Sequence, residues 1–224
     1  KQPEKPTDVS AQLVKALADI GVQAEVKSFT HGPRVTRYKV FLPDVNQHDK
    51  LKRGLERLGL ALNLQKARPI LGPGDEAKTL SLDVPRPRET WQVVPFSKLR
   101  EWVASTPADN NQLMVFPGVD ILGVPYSFDL ADAPHLLVGG TTGSGKSVCL
   151  HALILSLIMQ HPPSNLQLAL IDPKQVEFSV YQGSDYLYGG AVAVELSTAR
   201  AMILDLVAEM DARYQTFMTA GVMN

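Results

Sequence analysis

Cysteine is almost missing from this chain: Cys149 is the only one in 224 residues. A lone thiol excludes an internal disulfide framework and a cysteine-rich zinc site. Set in the apolar run VCLHALILSLI, it reads as a small core residue rather than a reactive thiol. Long apolar runs are missing too. The longest, LILSLIM, falls far short of the ~20 residues that a membrane-spanning helix needs. No secretory signal opens the chain, and no internal repeat is visible. Excess charge of one sign is also absent: 22 Lys and Arg stand against 23 Asp and Glu, a net charge of −1. Bulk charge therefore implies no polyanionic partner by itself. The chain opens on Lys and breaks off within a pattern, which suggests a piece of a longer protein, with any membrane anchor lying elsewhere.

What is present is enough for a sizeable core: 45% of the residues are hydrophobic, so wholesale disorder is excluded. The length suits about one or two domains of ~100–200 residues. The balanced charge is unevenly spread. Residues 1–110 hold 18 Lys and Arg against 13 Asp and Glu, a net of +5, and residues 111–224 hold 4 against 10, a net of −6. The shift suggests two units with different surfaces, the basic one suited to nucleic acid, although many soluble domains carry a charge of this size.

KQPEKP reads as a Pro- and Lys-rich linker over residues 1–7. DVSAQLVKALADIG spaces Val9, Leu13, Ala16, Leu17 and Ile20 as one helical face, with Thr7 or Asp8 as cap and Gly21 as stop. AEVKSFTHGPRVTRYKVFLP predicts two strands around the Gly32-Pro33 turn. A helix in HDKLKRGLERLGLALNL, strands in KARPIL and KTLSLDVP, and a short helix in FSKLREWVAS complete a small α+β domain over residues 8–110. Beyond the loop at 106–111, QLMVFPGVDILGVPYSFDL predicts short antiparallel strands. HLLVGG and LQLALID read as strands buried on both faces. Helices are expected from Lys146 to Gln160 and from Val194 to Met218, the second with Leu196, Ala199, Ile203, Leu206, Val207 and Met210 on one face. Strand–helix–strand–helix alternation is that of an α/β unit with a parallel sheet, placed at residues 111–224.

The most informative stretch is Gly140-Thr141-Thr142-Gly143-Ser144-Gly145-Lys146-Ser147, which fits G-x-x-x-x-G-K-[ST] at every fixed position, with an apolar segment before it and an apolar helix after it. The glycines let the backbone approach phosphate, and successive N–H groups form an anion nest at the positive end of a helix. Lys146 is placed to reach β- and γ-phosphates, and the Ser147 hydroxyl to ligate Mg²⁺. Residues 140–147 together with Val148 are the candidate ATP-binding set. The signature alone gives a nucleotide site, not a function. Asp172, closing LQLALID, resembles the acid of a second metal-binding strand, but Pro173 follows it instead of another acid. If Asp172 is that acid, the catalytic set Lys146, Ser147 and Asp172 is complete here. Otherwise a second acidic strand is missing.

PHLLVGGTTGSGKSVCLHALILSLI, LALIDPKQVEFSVYQG and AEMDARYQTFMTAGVMN resemble the motor domain of FtsK/SpoIIIE DNA translocases, and AEVKSFTHGPRVTRYKV resembles that family's Gly-Pro-x-x-Thr-Arg hairpin. The resemblance runs from about residue 9 to 224. It implies a small α+β unit followed by a RecA-like P-loop ATPase, in a ring, usually hexameric, that pulls double-stranded DNA through its centre without regard to sequence. ATP and Mg²⁺ would be used between neighbouring subunits. Asp172 and Lys174 match the family's Asp-Pro-Lys. The family's acidic strand would follow Asn224, which argues against Asp172 as the main metal acid and implies an ATPase unit cut before that strand. The expected setting is cytoplasmic, with membrane contact only through regions outside this chain.

This sequence also departs from the family. GSDYLYGG at 183–190 replaces Ile-Pro-His-Leu, and LDVPRPRETW stands at the family's Glu-Val-Pro-Asn, so a divergent member is implied and its cargo is open between segregation, conjugation and DNA defence. Thr36 and Arg37 suit either a DNA or neighbour contact or a solvated strand face. Arg213 suits either a neighbour's nucleotide or a plain helix surface. Three readings stand: a motor subunit; another NTP-dependent enzyme that shares only the loop, a GTPase being disfavoured by the lack of a guanine signature; and a nucleotide-binding scaffold or DNA tether without turnover.

Overall fold

A computed structural model describes residues 8–64, 67–107, 109, 111–133 and 135–222. The expected linker at 1–7, with its candidate cap Thr7, lies outside them. The chain divides into two compact units. The first comprises residues 1–98 with 118–126, and the second comprises 99–117 with 127–224.

The first unit follows the sequence pattern closely. Helix α1 (Ser10–Asp19) begins where Asp8 Oδ1 accepts from the Ser10 N–H at 2.8 Å, and ends at Gly21, whose φ of +74° closes the helix. Strands β1 (Glu25–His31) and β2 (Val35–Phe41) pair antiparallel, helix α2 (His48–Ala61) follows, and β3 (Ile70–Pro73) and β4 (Thr79–Pro85) complete a sheet of order β1-β2-β4-β3. Thr36, Tyr38 and Val40 alternate onto the buried face of β2, as a period of two requires. Leu13 and Leu17 from α1 and Leu51 and Leu58 from α2 cover Tyr38, Val40 and Leu82, all fully buried. Each such side chain contributes about 1.5–3 kcal/mol of burial free energy. The sheet therefore holds both helices on one face.

Thr36 and Arg37 are not plain solvated residues of the strand face. Thr36 is buried, 2.9 Å from His31 Nδ1. Arg37 donates through Nε and Nη2 to the two carboxylate oxygens of Asp83 on β4, at 2.7 and 2.8 Å. The β2–β4 register that sets Arg37 opposite Asp83 brings the two together, and no local pattern reveals a partner 46 residues away.

The second unit contains most of helix α3 (Phe96–Ser105) and all of α4 (Lys146–Gln160) and α5 (Leu196–Ala220). Strands β5 (Met114–Val119) and β6 (Pro125–Asp129) pair around a turn in which Asp120 Oδ1 accepts from the Leu122 and Val124 N–H groups. Helix α4 has the expected bounds, stopped by the Pro162-Pro163 pair. Helix α5 runs two residues later than expected at each end. Glu195 and Thr198 form a reciprocal capping box at its start, and Gly221, φ +68°, closes it.

The parallel sheet expected in this unit is not shown. HLLVGG is not a strand: among the described residues nothing pairs with 135–140, and Leu137 is 95% exposed. Among the described residues LQLALID joins two isolated parallel bridges, Leu168 to Leu187 and Ile171 to Ala193, and no ladder. A ladder needs a partner strand on at least one side, and apolar composition alone does not supply one. The apolar face expected on α5 is also largely open. Only Ala199 is buried, and Leu196, Ile203 and Met210 are exposed. Cys149 is half-buried and free.

Candidate nucleotide-binding site

The turn before α4 is built by its glycines. Gly143 and Gly145 take φ of +77° and +102°, a region costly for other residues. A Cβ on Gly140 would run into Ser144 Oγ. The Ser144 N–H donates to Thr141 O at 3.1 Å, rounding the loop, and residues 141–145 are exposed. The first helical bond runs from the Cys149 N–H to Gly145 O at 2.9 Å. The N–H groups of Lys146, Ser147 and Val148 consequently lack helical acceptors and add to the positive end of α4. Lys146 bends back over the loop, its Nζ donating to Gly140 O at 2.6 Å and Thr141 O at 3.1 Å. These carbonyls hold the ammonium at the loop where an oxyanion would meet it. Ser147 sits half-buried in the first helical turn and Val148 is exposed. The whole candidate set, Gly140 to Val148, is thus brought together.

The helix behind the loop is firmly seated. Ser156, fully buried, donates to Ala152 O at 2.6 Å and accepts from the Phe116 N–H at 3.1 Å, tying α4 to β5. Gln160 donates to Met114 O at 2.7 Å. His151 Nδ1 lies 2.8 Å from the hydroxyl of Tyr181, whose burial pushes its pKa up. Sequence reading missed all three side chains. A serine, a glutamine and a histidine in an apolar helix were the only available signal.

Among the described residues no hydrogen bond links Asp172 to the loop. Its Oδ2 accepts from the Glu177 N–H at 2.8 Å and the Phe178 N–H at 3.0 Å. Those backbone donors, Phe178 first, hold its carboxyl below the usual range, against a smaller opposing effect of burial. The carboxylate organises the segment from Asp172 to Tyr181. Its Oδ2 is thereby committed to the backbone of this segment. Among the described residues no cluster of three or more His, Cys, Asp or Glu could hold a metal ion. The Ser147 hydroxyl, in the first turn of α4, is a candidate metal ligand at the loop. Arg213 pairs with Glu209 one turn back on α5, at 2.7 Å, a helix-surface ion pair. A groove of about 630 Å³, lined by His48, Lys52, Leu55, Arg68, Ile70 and Leu71 among others, belongs to the first unit and not to the loop.

The family models account for nearly the whole chain: that of the FtsK/SpoIIIE family matches residues 98–224, and that of the FtsK alpha domain matches residues 1–86. The chain belongs to the FtsK/SpoIIIE family. Relatives named DNA translocase FtsK agree. The one from Halalkalibacterium halodurans is 37% identical over 95% of this chain, that from Pseudomonas syringae pv. tomato 36% over 99%, and that from Staphylococcus aureus 34% over 95%. This FtsK/SpoIIIE chain spans about a quarter of their length, 26%, 27% and 26%. A solved structure of the pCW3 conjugation coupling protein TcpA, in monomer form with ATPγS, aligns over 96% of this chain and 58% of its own, at 20% identity and a TM-score of 0.44, too distant to carry an argument. Membership in the FtsK/SpoIIIE family makes the glycine loop a P-loop NTPase element. No helix among the described residues is long and apolar enough to cross a membrane.

Proposed function

We propose that this chain carries the nucleotide-binding part of an ATP-driven translocase of double-stranded DNA that works as a homo-oligomeric, hexameric ring. In this reading the small α+β domain spans residues 8–110 and the RecA-like ATPase domain residues 111–224. The supporting observation is the glycine loop at the head of α4, with three N–H groups that lack helical acceptors and the Lys146 ammonium at its rim, in a member of a family with relatives named DNA translocase. The loop N–H groups would hold the phosphates of ATP, and Lys146 would leave its carbonyls for the β- and γ-phosphate oxygens. The Ser147 hydroxyl would be this chain's ligand for magnesium, which when bound would supply charge neutralisation at the phosphates. DNA would be gripped through its backbone, without sequence preference.

Titration of a fluorescent ATP analogue tests the loop. Lys146→Ala removes a charge-assisted contact of ~1.5–3 kcal/mol, so affinity drops about tenfold to a hundredfold. Equal affinities for the two proteins sink the assignment.

A second reading, a nucleotide-binding scaffold or tether without turnover, fits the engagement of Asp172 by backbone donors only if no other acid serves the metal. Phosphate release separates the two. Measured on the full-length protein with DNA and magnesium, turnover of about 1 s⁻¹ or more, in the ordinary enzyme range, supports the motor and none supports the scaffold, whereas the 224-residue chain alone is expected to turn over slowly or not at all under either reading.

A further inference from the structure

Three arginines converge in the first unit on one tryptophan. Arg34 follows the Gly32-Pro33 turn, and its guanidinium carbon lies 4.7 Å from the centre of the Trp91 ring. Arg88 lies beside the same ring at 5.7 Å. Between these segments runs Arg86. Its backbone N–H donates to Arg34 O at 2.9 Å, its carbonyl accepts from Trp91 Nε1 at 2.9 Å, and its Nη2 donates to Gly32 O and Pro33 O, both at 2.7 Å. The Gln92 N–H donates to Pro33 O at 3.0 Å. Arg34 and Arg88 are exposed, Trp91 is half-buried and Arg86 is buried. The cluster is therefore a fixed platform, not a set of loose surface side chains.

Its charge is uncompensated. Among the described residues, Arg37 has Asp83 and Lys39 has Asp75 and Glu76, but none of Arg34, Arg86 and Arg88 forms an ion pair. Arg86 is the more telling of the three. Its Nε and Nη1 are buried without any acceptor, a costly state for a cation. Burial pulls its pKa down, with no carboxylate acting against it, and its charge also depresses the pKa of His31. A buried positive charge behind two exposed guanidinium forks braced on an indole is a site that gains from an arriving oxyanion. Guanidinium forks match phosphate oxygens two by two.

We propose that Arg34, Arg88 and the buried Arg86 form a phosphate-binding platform in the first unit that grips the backbone of duplex DNA, outside the nucleotide loop. The assignment rests on the DNA-engaging reading above. Arg34 and Arg88 contact the phosphates, Trp91 holds the two forks in place, and Arg86 supplies field from behind. Phosphate is favoured because two exposed guanidinium forks braced on one indole present paired donors to its oxygens.

The test uses the 224-residue chain, with duplexes of unrelated sequence followed by anisotropy at several salt concentrations. Each neutralised phosphate contributes a slope of about −0.9 in log K against log salt, or about eightfold between 1 M and 0.1 M salt. Arg34→Gln/Arg88→Gln should bind tens of fold more weakly at 0.1 M salt, with a salt slope smaller by about two, and with unchanged ATP binding and urea midpoint. Lys15→Gln/Lys52→Gln, two exposed cations elsewhere on the unit, should behave as wild type. Equal losses from both double variants would leave only diffuse charge and overturn the platform. Wild-type binding that survives in Arg34→Gln/Arg88→Gln overturns it too, while leaving the translocase reading intact. No duplex binding by wild type, with ATP bound normally, overturns the platform together with the DNA reading. Inorganic phosphate is the second arm. Thermal stabilisation by millimolar phosphate that is lost in the variant, without any duplex binding, would assign the site to free phosphate and refute the backbone assignment.

Discussion

Removing Arg37 should unbalance the first unit more than removing Arg37 and Asp83 together. The pair spans the two central strands with bonds of 2.7 and 2.8 Å. The Asp83 side chain is 10% exposed and that of Arg37 34%. A charge-assisted bond in a buried setting is worth ~1.5–3 kcal/mol, whereas an open ion pair is worth under about 1. Being a third open to solvent, this pair falls between, at a coupling of about 1.5–2 kcal/mol. Arg37→Ala leaves the Asp83 carboxylate desolvated and should cost about 2–3 kcal/mol, and Arg37→Ala/Asp83→Ala less than the sum of the single changes. The assay is urea unfolding of the four proteins of the cycle in a Trp102→Phe background, so that Trp91 alone reports on the first unit. A coupling under about 0.5 kcal/mol refutes the brace. So does an Arg37→Ala protein of wild-type stability that has lost duplex binding, because Arg37 would then be a ligand contact.

Asp172→Asn keeps an oxygen able to accept from the Glu177 and Phe178 N–H groups, so amide-exchange protection there should survive, and Asp172→Ala should abolish it. Equal loss of magnesium-dependent ATP binding in both variants would instead make Asp172 a metal acid. His31 has a pKa lowered by burial first and by the Arg86 charge second, with Asp8 acting the other way. A depressed folded value means that the unfolded chain takes up the proton first, so the first unit should lose stability as pH falls below about 6.5. His31→Gln should flatten that part of a Tm-versus-pH curve, and an unchanged curve would contradict the shift. A Cβ on Gly32 would overlap the backbone carbonyl of Ile121, which has no flexible end to yield. Gly32→Ala should therefore cost about 1–3 kcal/mol or more by overpacking, and a wild-type melting temperature would show that the turn gives way.

Features of the fold set by neighbours in sequence were legible. The spacing of Leu13, Ala16 and Leu17, the Gly32-Pro33 turn and the Pro162-Pro163 stop each act within a few residues, and α1, β1–β2 and the end of α4 lie where those signals put them. The glycine turn before α4 was legible for the same reason, since its torsions and the start of the helix are local properties. Pairings across long separations were not. Nothing near Arg37 reveals Asp83, nothing near Ser156 reveals the Phe116 N–H, and LQLALID cannot show whether Asp172 faces a metal or two backbone donors. HLLVGG misled because apolar composition encodes burial, while a strand is made by the neighbour that bonds to it.

Helix α4 has a mechanical consequence. Fifteen residues at a rise of ~1.5 Å make a rod of roughly 22 Å. Its head is the phosphate turn. Along its length His151 engages Tyr181, Ser156 engages β5, and Leu153, Ile154 and Leu155 enter three separate apolar clusters. A rod gripped at so many points cannot tilt at one end alone. A pull on its first turn would load the Asp172–Tyr181 segment, through His151 and Tyr181, together with strand β5, through Ser156 and Phe116, as one stroke.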